Sequence, residues 1–394
     1  MDILPYGRHQ LDDDDIAAVV DVLKNGALTC GPQVEEFERA FAAKVCAKEA
    51  IVCSNGTAAL HMAALTVGLG AGDIAIVPTL TFLSTANAVR MTGADVVFAD
   101  VDPETGLLTG ETLRDAYART GTRVKAVLPV HLNGQCADME EISRIAAEHN
   151  SQIITDCCHA LGAEYYSGGA PGDGKFETLA CFSLHPVKSI AMGEGGFVTT
   201  NNSEYAARIR HLRGHDMKRN AADWILDDMA FDQQGGANPW FYEMHELAYN
   251  YRATDMQCAL GHSQLKKLDQ FVARRREIAA LYDTALKSLG NKLRPVAKTS
   301  LAASAWHLYP VLIDFAALGL ERGPFMRELM AKGVGSQVHY IPVSSQPYYR
   351  DLYGQQAFAG AEAYYQRVLS LPIFPAMTDS DVLRVVAALE TLLN

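Results

Sequence analysis

Short apolar runs alternate with segments of helical spacing through the first half of the chain. Ile51-Val52-Cys53, Ile74-Ala75-Ile76-Val77, Val96-Val97-Phe98-Ala99, Val124 to Val130, Gln152-Ile153-Ile154-Thr155 and Leu179 to Phe182 have strand length. Ala58 to Leu69, Ser84 to Met91, Leu107 to Tyr117 and Met139 to His149 read as the helices between them. Continuous apolar strands separated by helices predict a mostly parallel sheet covered on both faces, hence an α/β fold.

The flanking regions read differently. Asp12 to Asp15 suit a helix N-terminus, with Ile16, Val19, Val20 and Leu23 as the expected apolar face. Val34, Phe37 and Phe41 mark a second helix. Gly214 to Glu246 is too long for a simple connector and reads as an ordered functional or interface loop. Helices are expected at Thr254 to Leu268 and, as a long link between two halves, at Leu265 to Leu289. Beyond about residue 291 a smaller α+β unit is expected, with strands at His307–Ile313 and Gly335–His339. Its helices are expected at Gly323–Lys332, Ala361–Leu369 and Asp379–Leu393. Two domains follow: 1–268, including the loop 214–246, and 269–394.

Composition narrows the partners. At 49% hydrophobic and 20% charged residues, a large core forms and global disorder is excluded. A net charge of -12 argues against nucleic acid as a partner, but leaves room for a local positive pocket. The eight cysteines form no C-x-x-C pair and read as reduced, which suits the cytoplasm. Adjacent Cys157-Cys158 has no second cluster, so no metal is expected. Acidic residues stand where a signal peptide needs an apolar run, and no segment is apolar for long enough to span a bilayer, so no membrane association is expected.

Candidate chemistry gathers at strand ends, where sheets of this kind bind ligands. Ser54-Asn55-Gly56-Thr57, Phe82, Asp156 and Lys188 each follow an apolar strand and can share one crevice. A strand, a polar glycine turn and a helix N-terminus make a phosphate site, although an ordinary N-cap explains the turn equally well. Asp156 needs a cationic or hydrogen-bonding partner, or else caps the segment after it. Lys188, alone, would pass for an exposed lysine in a hairpin-like connection. Together, a lysine amine, a buried carboxylate, an aromatic ring and a phosphate cradle describe a site for pyridoxal 5'-phosphate. The lysine can form a Schiff base, and the carboxylate keeps the pyridine nitrogen protonated.

Four motifs resemble the DegT/StrS family, the sugar-aminotransferase branch of the aspartate-aminotransferase fold. They are Ser183-Leu184-His185-Pro186-Val187-Lys188 with Gly193-Glu194-Gly195-Gly196, Asp156-Cys157-Cys158-His159-Ala160-Leu161-Gly162, Ser54-Asn55-Gly56-Thr57 and Asn250-Tyr251-Arg252. His307-Leu308-Tyr309 and Val338-His339-Tyr340-Ile341-Pro342 extend the likeness across the chain. The resemblance implies a type I fold, with a mostly parallel seven-stranded sheet and a smaller C-terminal domain. It implies that Lys188 carries the cofactor and shuttles a proton, that Asp156 pairs with the pyridine nitrogen, and that Phe82 stacks on the ring. His159 would lie near the ring hydroxyl; Gly56, Thr57 and Ser183 would hold the phosphate. Asn250 would reach the phosphate of the other subunit, making a homodimer with shared sites. Tyr6, His339 and Tyr340 are the substrate-facing candidates.

Within the family, Gln257 to Gly261, Ser263 to Lys267 and Gln337 to Tyr340 resemble the transaminases that form UDP-4-amino-4,6-dideoxy-N-acetyl-β-L-altrosamine in pseudaminic-acid synthesis. The implied reaction moves an amino group from L-glutamate to C4 of a UDP-4-keto-6-deoxy-N-acetylhexosamine. Ser344-Ser345 departs from the pattern where a larger side chain is expected, and could line the sugar pocket together with the loop 214–246. A GDP- or dTDP-linked 3- or 4-ketosugar and a non-catalytic cofactor-binding regulator are the alternatives. The family's dehydratases carry histidine at the lysine position, so Lys188 argues against them.

Overall fold

Each apolar run of the first half becomes a strand of one sheet. The computed structural model describes residues 3–120 and 123–393. The chain contributes β1 (Glu49–Cys53), β2 (Ile74–Pro78), β3 (Asp95–Ala99), β4 (Val124–Val127) and β5 (Gln152–Asp156). A short β6 (Glu164–Tyr165) precedes β7 (Leu179–Ser183) and β8 (Gly196–Thr200). The seven-stranded sheet runs β1-β8-β7-β5-β4-β2-β3. Neighbours from β3 through β2, β4 and β5 to β7 are parallel, while β8 is antiparallel to both β7 and β1. The connection from β7 to β8 is short because an antiparallel neighbour needs no crossover helix. That short return carries Lys188.

The register fixes the site. Ser183 of β7 and Cys53 of β1 both face Gly196 of β8. A Cβ at Gly196 would fall 2.6 Å from the Asn55 backbone and 2.8 Å from the Phe182 carbonyl oxygen. Glycine therefore lets the Ser54–Thr57 turn close onto the end of β7. The helix that follows, Gly56–Thr66, buries alanines on almost every side and packs onto β7 and β8.

Aromatic packing holds the other face. Phe41 stacks on Phe197 with ring centroids 3.9 Å apart, and meets Phe182 edge-on at 5.2 Å. All three rings are buried.

The C-terminal unit builds a second sheet from β9 (Leu293–Pro295), β11 (Tyr309–Ile313) and β12 (Val368–Leu371), all antiparallel. A two-residue β10 (Ala302–Ala303) pairs instead with β6. Leu4 forms a bridge to Val334 and joins the C-terminal core, which draws Tyr6 toward the sheet end. Arg275, buried in the helix Leu268–Ala285, donates to the carbonyls of Trp306, His307 and Ile373. It clamps the segment that carries His307. Among the described residues, no helix is long and apolar enough to cross a membrane.

Several expected boundaries moved. The strand expected to reach Val130 ends at Val127, and Val130 keeps only an isolated bridge to Asp156. Pro129 lacks the amide that would continue the ladder. Gly335–His339 forms no strand; Gln337 alone bridges to Ser370. The helix expected over 361–369 ends at Arg367, and Val368 and Leu369 enter β12. The predicted long helix from 265 begins at Leu268, after a break at Lys266-Lys267, and gives way at Leu286 to a 3-10 turn. The first helix, Asp13–Asn25, is rotated from the expected face: Asp15 and Val22 are buried and Val19 half-buried, while Ile16 and Leu23 stay 56% and 57% exposed. Asp15 pairs with Lys267 at 2.9 Å and accepts from Gln264 at 2.6 Å, so a polar clasp decides the orientation.

Phe41→Ala should lower unfolding stability by about 3–5 kcal/mol, the cost of emptying a buried aromatic site. Denaturant unfolding measures it; a loss under about 1 kcal/mol would show that the stacked pair does not bear on the sheet.

Candidate active site

The ends of β1, β2, β5 and β7 open into one cavity of about 970 Å³. Lys188, Asp156, Phe82, His159, Gly56, Thr57, Ser183, Tyr6, His339 and Tyr340 all line it. Ten of the eleven residues expected at the site are thus brought together. Asn250 is the exception: it is exposed and does not line its own chain's cavity. No residue of the loop 214–246 lines it either.

One wall is a phosphate cradle. Asn55 caps the helix Gly56–Thr66 by accepting from the Ala58 amide at 2.8 Å. The Gly56 and Thr57 amides have no acceptor among the described residues, as expected at a helix start. A Cβ at Gly56 would fall 2.9 Å from the Ser183 Cβ, so glycine keeps the cradle open. The Thr57 hydroxyl is held by Ser84 at 2.8 Å. Free amides at a helix N-terminus favour an anion.

The floor holds Asp156. It is 5% exposed, and one oxygen accepts from Thr85 Oγ1 at 2.8 Å while the other accepts from the Cys158 amide at 3.1 Å. Thr81 supports Thr85 at 2.8 Å. The carboxylate is thereby aimed, with no cationic side chain within ion-pair distance among the described residues. A protonated ring nitrogen would supply that charge.

Opposite lies Lys188, half-buried, whose amine makes no hydrogen bond or ion pair among the described residues. Burial lowers its pKa below the ordinary lysine value, opposed in part by Cys158 and Asp156. Phe82 is 53% exposed at the helix start Leu83, with the Tyr340 ring tilted beside it at 5.9 Å and no ring stacked flat on it among the described residues. Three histidines back the cavity. His159 and His307 lie with ring centroids 4.3 Å apart, and both are held far below the usual imidazole pKa, first by burial. His339, bonded to Ser370 at 2.9 Å, is pushed down to about 3, again first by burial and then by Lys188. These rings are neutral at physiological pH, so they add hydrogen-bonding capacity without positive charge.

Two contributors escaped the sequence. Thr85 sits inside an ordinary helix, and nothing in its spacing marks it as the partner of Asp156. His307 stood in a motif without a role; its buried Nδ1 has no partner and its ring lines the cavity. Ser344 does not line the cavity as anticipated. Its hydroxyl meets Thr79 at 2.6 Å and ties the segment after Tyr340 to the end of β2. Ile341 and Gln346 face the cavity instead.

This sheet with its lysine on the β7–β8 return is the architecture of type I pyridoxal-phosphate enzymes. The chain belongs to the DegT/DnrJ/EryC1/StrS aminotransferase family, whose sequence profile matches residues 9–390. It is 37% identical over 396 residues to the spore coat polysaccharide biosynthesis protein SpsC of Bacillus subtilis, spanning 99% of this chain and 97% of that one. Its structure is similar to that of Helicobacter pylori PseC, an aminotransferase involved in pseudaminic acid biosynthesis, with a TM-score of 0.89, 27% identity and 99% of both chains covered. It is also similar to Streptococcus pneumoniae Spr1654 in its PLP form, with a TM-score of 0.87, 25% identity, and 99% of this chain and 98% of that one covered. Family membership implies pyridoxal 5'-phosphate. The residues fit it: an open glycine cradle, an aimed carboxylate, an exposed aromatic ring and an untethered amine converge on one cavity.

A lysine whose pKa is lowered by folding leaves the unfolded chain binding more protons. Stability is therefore reduced below the unfolded lysine value of about 10.4 and is regained as the pH rises toward it. Cofactor-free Lys188→Met should accordingly be more stable than cofactor-free wild type at pH 7, with the gap closing toward about pH 10.5. Thermal unfolding of the two proteins across pH checks this; a less stable variant at pH 7 would contradict the burial argument.

Proposed function

We propose that the protein transfers the amino group of L-glutamate to C4 of a nucleotide-linked 4-keto-6-deoxy sugar, with a UDP-4-keto-6-deoxy-N-acetylhexosamine as the preferred substrate. The observation that carries this is the half-buried Lys188 amine, with lowered pKa and no partner among the described residues, in the same cavity as the aimed Asp156 carboxylate. Lys188, Asp156 and Phe82 would hold the ring of pyridoxal 5'-phosphate, and Gly56, Thr57 and Ser183 its phosphate. Bound there, the cofactor supplies the electron sink that amino transfer needs. Lys188 Nζ holds and returns the proton at the substrate carbon, because its neutral fraction is raised by burial. Tyr6, His339 and Tyr340 form the wall toward which a sugar would extend.

The likeness to PseC supports the pseudaminic-acid-type reading, and the likeness to SpsC supports a role in making a surface polysaccharide. A GDP- or dTDP-linked ketosugar is the alternative. The test is a two-stage absorbance experiment. L-glutamate should convert the lysine-bound cofactor to its amine form, and one nucleotide ketosugar of a UDP, GDP and dTDP panel should reverse it. Lys188→Ala should lose the lysine-bound absorbance and at least about 10⁴-fold in turnover. A variant that still transaminates at the wild-type rate would refute the assignment.

The working unit we propose is a homodimer. Ile225, Trp240 and Leu247 are 74%, 74% and 77% exposed, on and beside the loop 214–246. Ile16 and Leu23 add further exposed apolar side chains, the kind of surface that marks interaction sites where it is contiguous. Asn250, itself exposed, would complete the phosphate site of the neighbouring subunit. Mixing Lys188→Ala with Asn250→Ala protein and allowing exchange should then restore up to about a quarter of wild-type activity, since half the dimers are hybrids with one intact site. No restoration after verified exchange would place Asn250 outside the shared site.

A further inference from the structure

His61 takes no part in the cavity wall, yet it is a polar ring in an apolar helix. The helix Gly56–Thr66 is built mostly of buried alanine, leucine and methionine, and His61 stands among them at 1% exposure. Burial lowers its pKa, so the ring is neutral at physiological pH. Its Nδ1 lies 3.2 Å from the Tyr251 hydroxyl, while its Nε2 is buried with no partner among the described residues. Burying a polar ring costs free energy, and an unpaired nitrogen adds to the cost. Core packing therefore does not account for a histidine at this place; the bond to Tyr251 does.

What His61 holds is the segment around Asn250. The Tyr249 and Tyr251 rings stack with centroids 4.9 Å apart and planes 6° from parallel, and both meet the His61 ring edge-on, at 4.9 and 6.0 Å. Side chains alternate along an extended segment, so two tyrosines that share one face turn Asn250 to the other. The backbone agrees. Asn250 bridges to Gly214, the Tyr249 and Tyr251 amides donate to the Leu212 and Arg213 carbonyls at 2.9 and 3.0 Å, and the Asn250 side is exposed. The helix thus starts at the cradle of its own cavity and, further along, fixes the direction of a residue outside that cavity.

We propose that His61 is a positioning residue for the site of the neighbouring subunit: through Tyr251 it sets the direction of Asn250, which completes the phosphate end of that subunit's cavity. This rests on the shared-site homodimer and on pyridoxal 5'-phosphate as the bound group. A hydrogen bond to an anion weakens steeply as its angle opens, so a tyrosine pair free to turn would weaken it with no donor removed. The effect of His61 should therefore follow the chain that gives Asn250, and not the chain whose lysine holds the cofactor.

The test uses hybrid dimers of the full chain, carrying two different affinity tags and purified through both. One chain has Lys188→Ala and gives its Asn250; the other has Asn250→Ala and keeps Lys188. Such a hybrid has one complete site, and only that site forms the lysine-bound absorbance when cofactor-free protein is titrated with pyridoxal phosphate. His61→Leu in the Asn250-giving chain should raise the half-saturating concentration about tenfold, the effect of misaiming one hydrogen bond to a charged group. His61→Leu in the lysine-bearing chain should leave it within about twofold. A purely structural role would move both hybrids alike, and that result would overturn the proposal. A shift confined to the lysine-bearing chain would overturn it too, by assigning His61 to its own cradle. Tyr251→Phe in the Asn250-giving chain removes the same bond without emptying buried space. It should shift the concentration as far, and it replaces His61→Leu if that variant does not fold; no shift with Tyr251→Phe would overturn the proposal. The hybrid with no further substitution tests the reading beneath. If it binds the cofactor no more tightly than the Asn250→Ala homodimer, the shared site is refuted and this inference with it. Wild type that takes up no cofactor would defeat the functional reading itself.

Discussion

The site depends on one close approach. Gly196 lies between the ends of β1 and β7, and a single methyl group there would strike the Asn55 backbone and the Phe182 carbonyl. Because β8 runs against its neighbours, the chain returns from β7 in a short loop instead of crossing over a helix. Lys188 is on that loop, and the helix start at Gly56 is pressed against its entry at Ser183. The cradle and the amine are therefore products of the same pairing. Neither can shift without the other.

Around this frame the electrostatics are sparse by design of the packing. Lys188 is the one cationic side chain of the cavity wall, where no arginine appears among the described residues. The three histidines are kept neutral by burial, and Lys188 works in the same direction. The same burial lowers the lysine itself, and Asp156 only partly opposes it. An amine whose pKa burial lowers, in the same cavity as a hydrogen-bonded carboxylate, is suited to nucleophilic attack and proton transfer more than to binding an anion. Anion binding is left to the free amides of the helix start, whose partial charges persist on a chain of net charge -12.

The strands were legible because burial on both faces leaves unbroken apolar runs. Asp156 and Lys188 stood out because a polar residue at the end of such a run needs a reason. The same logic failed where packing is decided by a distant polar partner. The first helix shows an apolar stripe at Ile16 and Leu23, yet the Asp15 clasp to Lys267 and Gln264 turns that stripe outward. Val368 and Leu369 continue a helical pattern, yet β11 claims them for its edge. Thr85 and Ser344 act through contacts to residues 71 and 265 positions away, at Asp156 and Thr79, and no local spacing encodes such a contact.

The misread helix also bears on the proposed homodimer. A stripe turned outward costs free energy in water unless something covers it, and the apolar residues on and beside the loop 214–246 add to the uncovered area. Asn250 is exposed and lies outside its own cavity. A second copy would bury these faces and would deliver polar groups to a cavity that lacks them. The bareness of the cavity wall and the apolar exposure of the surface are then two signs of one requirement. In this chain, assembly and catalysis would draw on the same contacts, and a substitution that weakens the interface would be felt first at the phosphate end of the site.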